Sequence, residues 1–226
     1  MNPTLQLMLD SLWPLLRAGL VFTVPLALLS FLFGISIGFV VAVVRLFAPW
    51  PIAAVARFYV WFIRGTPLLV QLFVIFYGLP SVGILVDAFP AALIGFSLSV
   101  GAYTSEIIRS ALSAIPKGQW EAAYSIGMRR RQAMARTIVP QAIRVAVPPL
   151  SNSFISLVKD TSLAAAITVP ELFQQAQRIV ATTYEPLILY IEAALLYLVF
   201  SSVLSALQSR LERHFATYGG YLESRS

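Results

Sequence analysis

Charged residues divide this chain into long uncharged stretches, and the lengths of those stretches give the first guide to its structure. Between Arg17 and Arg45 lie 27 uncharged residues, Ala18–Val44. A helix needs ~20 mostly apolar residues to cross the ~30 Å hydrocarbon core of a bilayer. Gly65–Val86 supplies another 22 and Ala88–Ser105 another 18, while Pro186–Gln208 carries only Glu192. One stretch is interrupted: Val145–Val158 is followed by Lys159 and Asp160, then by ten uncharged residues ending at Pro170. Neither half is long enough alone, so the pattern predicts a single span with ionisable residues inside it. The expectation is an all-α integral membrane protein, one transmembrane domain over residues 1–226. Its five spans fall at about 18–45, 58–80, 88–110, 144–168 and 186–209, with a long loop at about 111–143. Ahead of the first span, Leu5, Leu9, Leu12 and Leu16 recur at helical spacing. That fits either a short interfacial helix or an extension of the span.

The basic residues orient these spans, because cytoplasmic loops collect Lys and Arg. With the N-terminus outside and the C-terminus cytoplasmic, the inner side holds 13 of the 16 basic residues, from Arg45, Arg57 and Arg64 to Arg210, Arg213 and Arg225. Arg17 and Arg178 are left outside, and Lys159 lies within a span. Composition agrees: 58% of residues are hydrophobic, only 12% are charged, and the net charge is +6. That is half the charge of a typical soluble domain, which carries about 25%. The first span is also too long for a cleaved signal peptide, whose apolar region runs ~7–15 residues.

Composition also excludes chemistry. Without cysteine there are no disulfides or thiolate metal sites, and a single histidine, His214, rules out multi-histidine metal sites and triads within the spans. No metal site or catalytic residue is expected. The only lysines follow Pro116 and Val158, so no Gly-Lys phosphate loop exists, and no Gly-x-Gly occurs among the 12 glycines. Nucleic-acid binding is not expected, since the basic loop lacks interleaved aromatic residues.

Polar residues inside the spans stand out, because a charge at mid-membrane costs ~2.5–3.5 kcal/mol on insertion scales. Asn152, Ser156 and Asp160 recur every four residues with Ser153 alongside, opposite Phe154 and Leu157, so one helical face is polar. Such a stripe suits an interior pathway, and for Asn152 and Ser156 equally suits hydrogen bonding between helices. Ser99, Tyr103, Glu106 and Ser110 form a second stripe in which Glu106 and Arg109 are spaced for an intrahelical ion pair. Gln71 shares a face with Arg64 and is a candidate pore-lining donor. Gly34 and Gly38 would permit close helix packing.

The loop Ala111–Arg144 reads as two short helices, Gln119–Ile126 and Met128–Ile138, separated by Gly127 in a left-handed turn and closed by Pro140. Arg129, Arg130 and Arg131 suit an orientation signal against anionic headgroups. Glu121-Ala122-Ala123, three residues, Gly127, twelve residues and Pro140 resemble the EAA loop of ABC importer permeases, departing from it at Thr137 and Val139. Arg64-Gly65-Thr66-Pro67-Leu68, Lys117-Gly118-Gln119-Trp120 and Leu157–Leu163 resemble the polar amino acid subfamily, and Pro148–Leu172 is most similar to L-cystine permeases.

The resemblance implies a type I importer permease in a bacterial inner (cytoplasmic) membrane, working by alternating access. It implies a second permease copy, identical or paralogous, two ATPase subunits and an extracytoplasmic substrate-binding protein. The chain itself would bind no cofactor, with ATP and magnesium used by the ATPase. Glu121, Ala122, Ala123, Gly127, Arg131 and Pro140 would form the coupling element that docks on that ATPase. An amino acid needs an acid for its ammonium and donors for its carboxylate. Asp160 suits the first task; Lys159, Asn152 or backbone freed near Pro148-Pro149 suit the second, with Gln71, Ser99, Tyr103 and Ser156 along the pathway. Lys159 points ~100° away from Asp160 and could instead pair with another helix or the partner permease. An ion-coupled transporter or channel is the alternative, for which Asp160 and Lys159 would be coupling residues.

Overall fold

The structure is a computed structural model that describes residues 3–217. Arg225, counted above among the inner charges, lies outside the described residues. Among those residues every regular element is helical. Helix α1 (Pro3–Ala18) passes through a π turn at Gly19–Thr23 into α2 (Val24–Phe47), making one helix of 44 residues, Thr4–Phe47. The leucine repeat before the first span is therefore its extension.

Among the described residues π turns occur at Gly19–Thr23, Val74–Gly78 and Met134–Ile138, and each ends two residues before a proline: Pro25, Pro80 and Pro140. A proline inside an α-helix lacks the N–H for the carbonyl four residues back and its ring clashes there. The residue before each proline reaches back five residues instead: Val24 to Gly19, Leu79 to Val74 and Val139 to Met134. This widened turn makes room for the ring, so Pro140 does not end its helix as the sequence had suggested.

The second predicted span, 58–80, is not straight. Helix α3 (Trp50–Gly65) and α4 (Leu68–Phe73, continuing through a 3-10 turn to Val82) meet at 106°. The cause is Pro67, which forces Thr66 into extended backbone at φ −115° and ψ 145°. The bend leaves the last carbonyls of α3 without helical partners. Gln71 closes it: its Nε2 donates to Ile63 O at 2.8 Å, Thr66 O at 3.2 Å and Thr66 Oγ1 at 2.8 Å.

Helix α5 (Ala88–Ser113) runs through the middle of the molecule. The short α6 (Lys117–Ser125) and α7 (Arg130–Ala133) follow it, and α7 runs through the Met134–Ile138 turn into α8 (Val139–Asp160). The predicted span 144–168 is thus not one regular helix: α-geometry ends at Asp160 and tightens to 3-10 over Thr161–Ile167. Helix α9 (Leu172–Thr183) was not foreseen, and α10 (Pro186–Thr217) is the last. Among the described residues three helices are long and apolar enough to cross a membrane, Thr4–Phe47, Ala88–Ser113 and Pro186–Arg210, and the bent α3–α4 pair makes a fourth if its two halves form one broken span. Helix α8 is not among them, because Arg144, Lys159, Asp160 and its polar stripe reduce its hydropathy.

Packing centres on α2 against α5. A Cβ at Gly38 would lie 2.7 Å from Thr104 Cβ and 2.9 Å from Gly101 O, and one at Gly101 would lie 2.7 Å from Ile37 Cγ2, so the backbones touch. Leu26, Leu72, Phe96, Val158 and Ile167 form the main core around this contact. A second core joins α1, α9 and α10 through Leu15, Leu172 and Leu196. There the buried Glu171 caps α9 by accepting from Gln174 N at 2.7 Å, and also accepts from Tyr197 Oη at 2.5 Å. Gly38→Ala should destabilise the fold by about 1–3 kcal/mol through overpacking. Thermal unfolding in detergent measures this, and an unchanged midpoint would show that the helices can separate freely.

Candidate functional site

The polar stripes of α5 and α8 face each other across one cavity. Its volume is about 340 Å³, and Ser99, Tyr103, Asn152, Ser156 and Asp160 all line it; Leu68 and Pro149 are among the apolar walls, as is Leu157, which lies beside the stripe and not opposite it as its spacing had suggested. Ligand pockets commonly span ~300–1,000 Å³. Five residues chosen from helical spacing therefore converge on a single space. Asn152 Oδ1 also accepts from Gln208 Nε2 of α10 at 3.0 Å, so its carbonyl end is engaged while the residue borders the cavity.

Two expected pathway residues are placed otherwise. Gln71 is buried and its amide nitrogen is occupied at the α3–α4 bend, so it braces backbone and does not border this cavity. Lys159 is exposed and outside the cavity wall, as its angular separation from Asp160 requires. Sequence reasoning missed Arg64 as a neighbour of the site: its guanidinium lies over the Tyr103 ring, 5.1 Å from the centroid, and sets a cation behind a wall residue. The predicted Glu106–Arg109 pair is present. It is joined by Arg45 of α2, whose Nη1 is 2.7 Å from Glu106 Oε2, a partner 61 positions away that local spacing could not reveal.

The loop between α5 and α8 is built as a rigid corner. Gly127 has φ +79°, Gly127 N donates to Tyr124 O at 2.9 Å, and Met128 N donates to Ala123 O at 3.1 Å. This pair of bonds is a Schellman motif, which needs a left-handed residue at the glycine position. The second helix then starts at Arg130, later than the expected Met128, with Arg129 N donating to Gln132 Oε1 at 2.9 Å. Gln141 Nε2 donates to Gln119 Oε1 at 3.0 Å, clamping α6 to α8, and Ile115, Ile138 and Ala142 fill the space beneath. Glu121 and Ala122 are exposed while Ala123 is buried, so of the two alanines only Ala122 is presented outward. Thr137 donates to Met128 Sδ at 3.8 Å, a local contact at the position where the EAA pattern has isoleucine. Arg131 is exposed with Arg130 beside Phe47, and Pro140 is exposed at the start of α8.

Residues 30–217 match the family described as the inner membrane component of binding-protein-dependent transport systems. The chain belongs to that family. The L-cystine transport system permease protein TcyB of Bacillus subtilis (strain 168) is 50% identical over 214 residues, which cover 94% of this chain and 92% of TcyB. The probable amino-acid ABC transporter permease YckA of the same organism is 42% identical and covers 91% of each chain. Among solved structures, an amino acid ABC transporter with histidines superposes with a TM-score of 0.90 at 35% identity, over 95% of this chain and 99% of that one. The inward-facing MetNI methionine ABC transporter shares the fold at a TM-score of 0.68 and 19% identity, over 95% and 99%. As a member of this family the chain is a membrane transport subunit and not a catalyst, and the channel and ion-coupled readings find no support.

Gly127→Ala meets open space, so its effect isolates the backbone: the left-handed conformation costs a non-glycine residue ~1–2 kcal/mol. Amide exchange at Met128 should accelerate by about five- to thirtyfold. Unaltered protection at Met128 would mean the corner does not depend on this turn.

Proposed function

We propose that this chain is the membrane-spanning permease subunit of an ATP-driven, binding-protein-dependent importer of L-cystine or a closely related polar amino acid. The observation that carries this reading is the joint one: a cavity with Asp160 on its wall, at one end of a helix whose other end leaves the Gly127 corner. The 50% identity to the TcyB cystine permease supports the substrate. Five spans, with α8 as the polar-lined fourth, put the N-terminus outside and the C-terminus in the cytoplasm of a bacterial inner membrane. Two permease copies, identical or paralogous, enclose the pathway about a two-fold axis. Two ATPase subunits, which use the ATP and magnesium, dock beneath and a substrate-binding protein docks outside.

Within this assembly Asp160 receives the ammonium of the amino acid. Ser99, Ser156 and the Tyr103 hydroxyl, with the Arg64 cation behind that ring, receive the carboxylate. A zwitterion leaves water only if both ends are matched, which is why an acid and donors share one cavity. Glu121, Ala122, Gly127, Pro140 and the inward-packed Ala123 transmit ATPase closure to α8, and alternating access follows.

Proteoliposomes carrying the permease, its ATPase and its binding protein test this directly. L-cystine uptake should require ATP; uptake that ignores ATP and follows a proton or sodium gradient would overturn the reading. Asp160→Asn should lower the apparent affinity for L-cystine by about tenfold or more, one charge-assisted contact being worth ~1.5–3 kcal/mol. Normal affinity would remove Asp160 from the pathway. Glu121→Ala should leave the complex assembled yet separate ATP hydrolysis from uptake, and fully coupled transport would exclude that role.

A further inference from the structure

Beside the coupling loop, a second cavity of about 380 Å³ opens between the end of α2 and the start of the α7–α8 rod, lined by Phe47, Arg130, Arg131 and Met134. It holds two guanidinium groups and, among the described residues, no carboxylate. Arg45 next to it is neutralised by Glu106, whereas Arg130 and Arg131 are exposed and no acidic side chain pairs with them among the described residues. Two unpaired arginines around a shared hollow repel each other, and an anion between them removes that repulsion.

The other half of the site is apolar. Phe39, Val43, Leu46 and Phe47 are exposed on α2 and recur at helical spacing, so they form one ridge along the bilayer that ends at this hollow. The uncharged run Ala18–Val44 is the part of this helix long enough to cross the acyl chains, and the first charge after it, Arg45, marks the depth of the headgroups beside Phe47. The guanidinium pair thus stands where the phosphate of a lipid would stand if its chains followed the α2 ridge.

We propose that this hollow is a discrete binding site for the phosphodiester headgroup of an anionic phospholipid, held by Arg130 and Arg131 with its acyl chains along Phe39, Val43 and Phe47. The bound lipid ties the end of α2 to the α7–α8 rod. An inorganic phosphate shares the headgroup chemistry but lacks the chains, so the ridge distinguishes the two sources. The site does not depend on which amino acid is carried.

The complete permease–ATPase complex in neutral detergent provides the test, titrated with phosphatidylglycerol, phosphatidylcholine or inorganic phosphate while thermal stability and bound lipid by native mass spectrometry are followed. Phosphatidylglycerol should bind saturably and raise the melting temperature, and phosphatidylcholine and phosphate should do neither at matched concentration. The double variant Arg130→Gln, Arg131→Gln should weaken phosphatidylglycerol binding by about tenfold or more, each arginine near a lipid surface being worth ~1 kcal/mol. Arg136→Gln removes one charge outside the hollow and should leave binding as it is. Should the double variant not assemble, Phe47→Ala should weaken binding with both charges intact. Weakening of about fivefold by Arg136→Gln, its full per-charge share, would reveal diffuse surface attraction and overturn the site, as would phosphate binding as well as lipid. Lipid binding to the free permease but not to the complex would equally refute it, by showing that the ATPase covers the hollow.

Discussion

No backbone N–H or carbonyl can be left without a partner at membrane depth, and that constraint accounts for most of the irregular features of this fold. At the 106° bend the carbonyls released from α3 are taken by the amide of one buried side chain, Gln71. At Pro25, Pro80 and Pro140 the helix widens just upstream and the affected bonds are remade across five residues. At the start of α9 the free N–H of Gln174 is met by the carboxylate of Glu171. At each of these places the departure from regular helix is accompanied by a specific partner.

These local solutions hold the cavity in place. Helix α5 serves two neighbours at once: Gly101 and Thr104 receive the glycine face of α2, and Ser99 and Tyr103 border the cavity shared with α8. Close backbone contact on one side thus fixes the position of the polar wall on the other. The bend at Thr66-Pro67 brings Leu68 to the cavity and keeps Arg64 over Tyr103, so the motif Arg64–Leu68 shapes the site through chain direction as well as through its charge.

Much of this was legible in the sequence because helical spacing is a local property. Asn152, Ser156 and Asp160 share a face by arithmetic, and Ser99 and Tyr103 do so independently; both faces meet in the structure. Gly127 was likewise readable, since few residues tolerate a left-handed turn. What escaped was direction and distance. An uncharged run from Gly65 to Val86 has span length whether or not it turns at Pro67, so hydropathy could not expose the bend or the bracing role of Gln71. Arg45 with Glu106, Ser11 with Glu192 and Glu171 with Tyr197 are pairs on different helices, and no spacing rule within one helix identifies them. The α9 helix was missed because its apolar face packs on α1 and α10 through Leu172 and Ala176 in a segment too short to register as a span.

The unbroken run from Arg130 through the π turn to Asp160 has a geometric corollary. At ~1.5 Å per residue these 31 residues make a rod of about 45 Å. A tilt of about 5° about its Arg130 end displaces the Asp160 end by roughly 4 Å, more than the length of a hydrogen bond. The same tilt moves Gln141, nearer the Arg130 end, by only roughly 1.4 Å, so displacement grows along the rod and is largest around Asp160, unless α6 follows through the Gln119–Gln141 bond. Length alone would turn a small rotation of such a rod into a large shift at its far end.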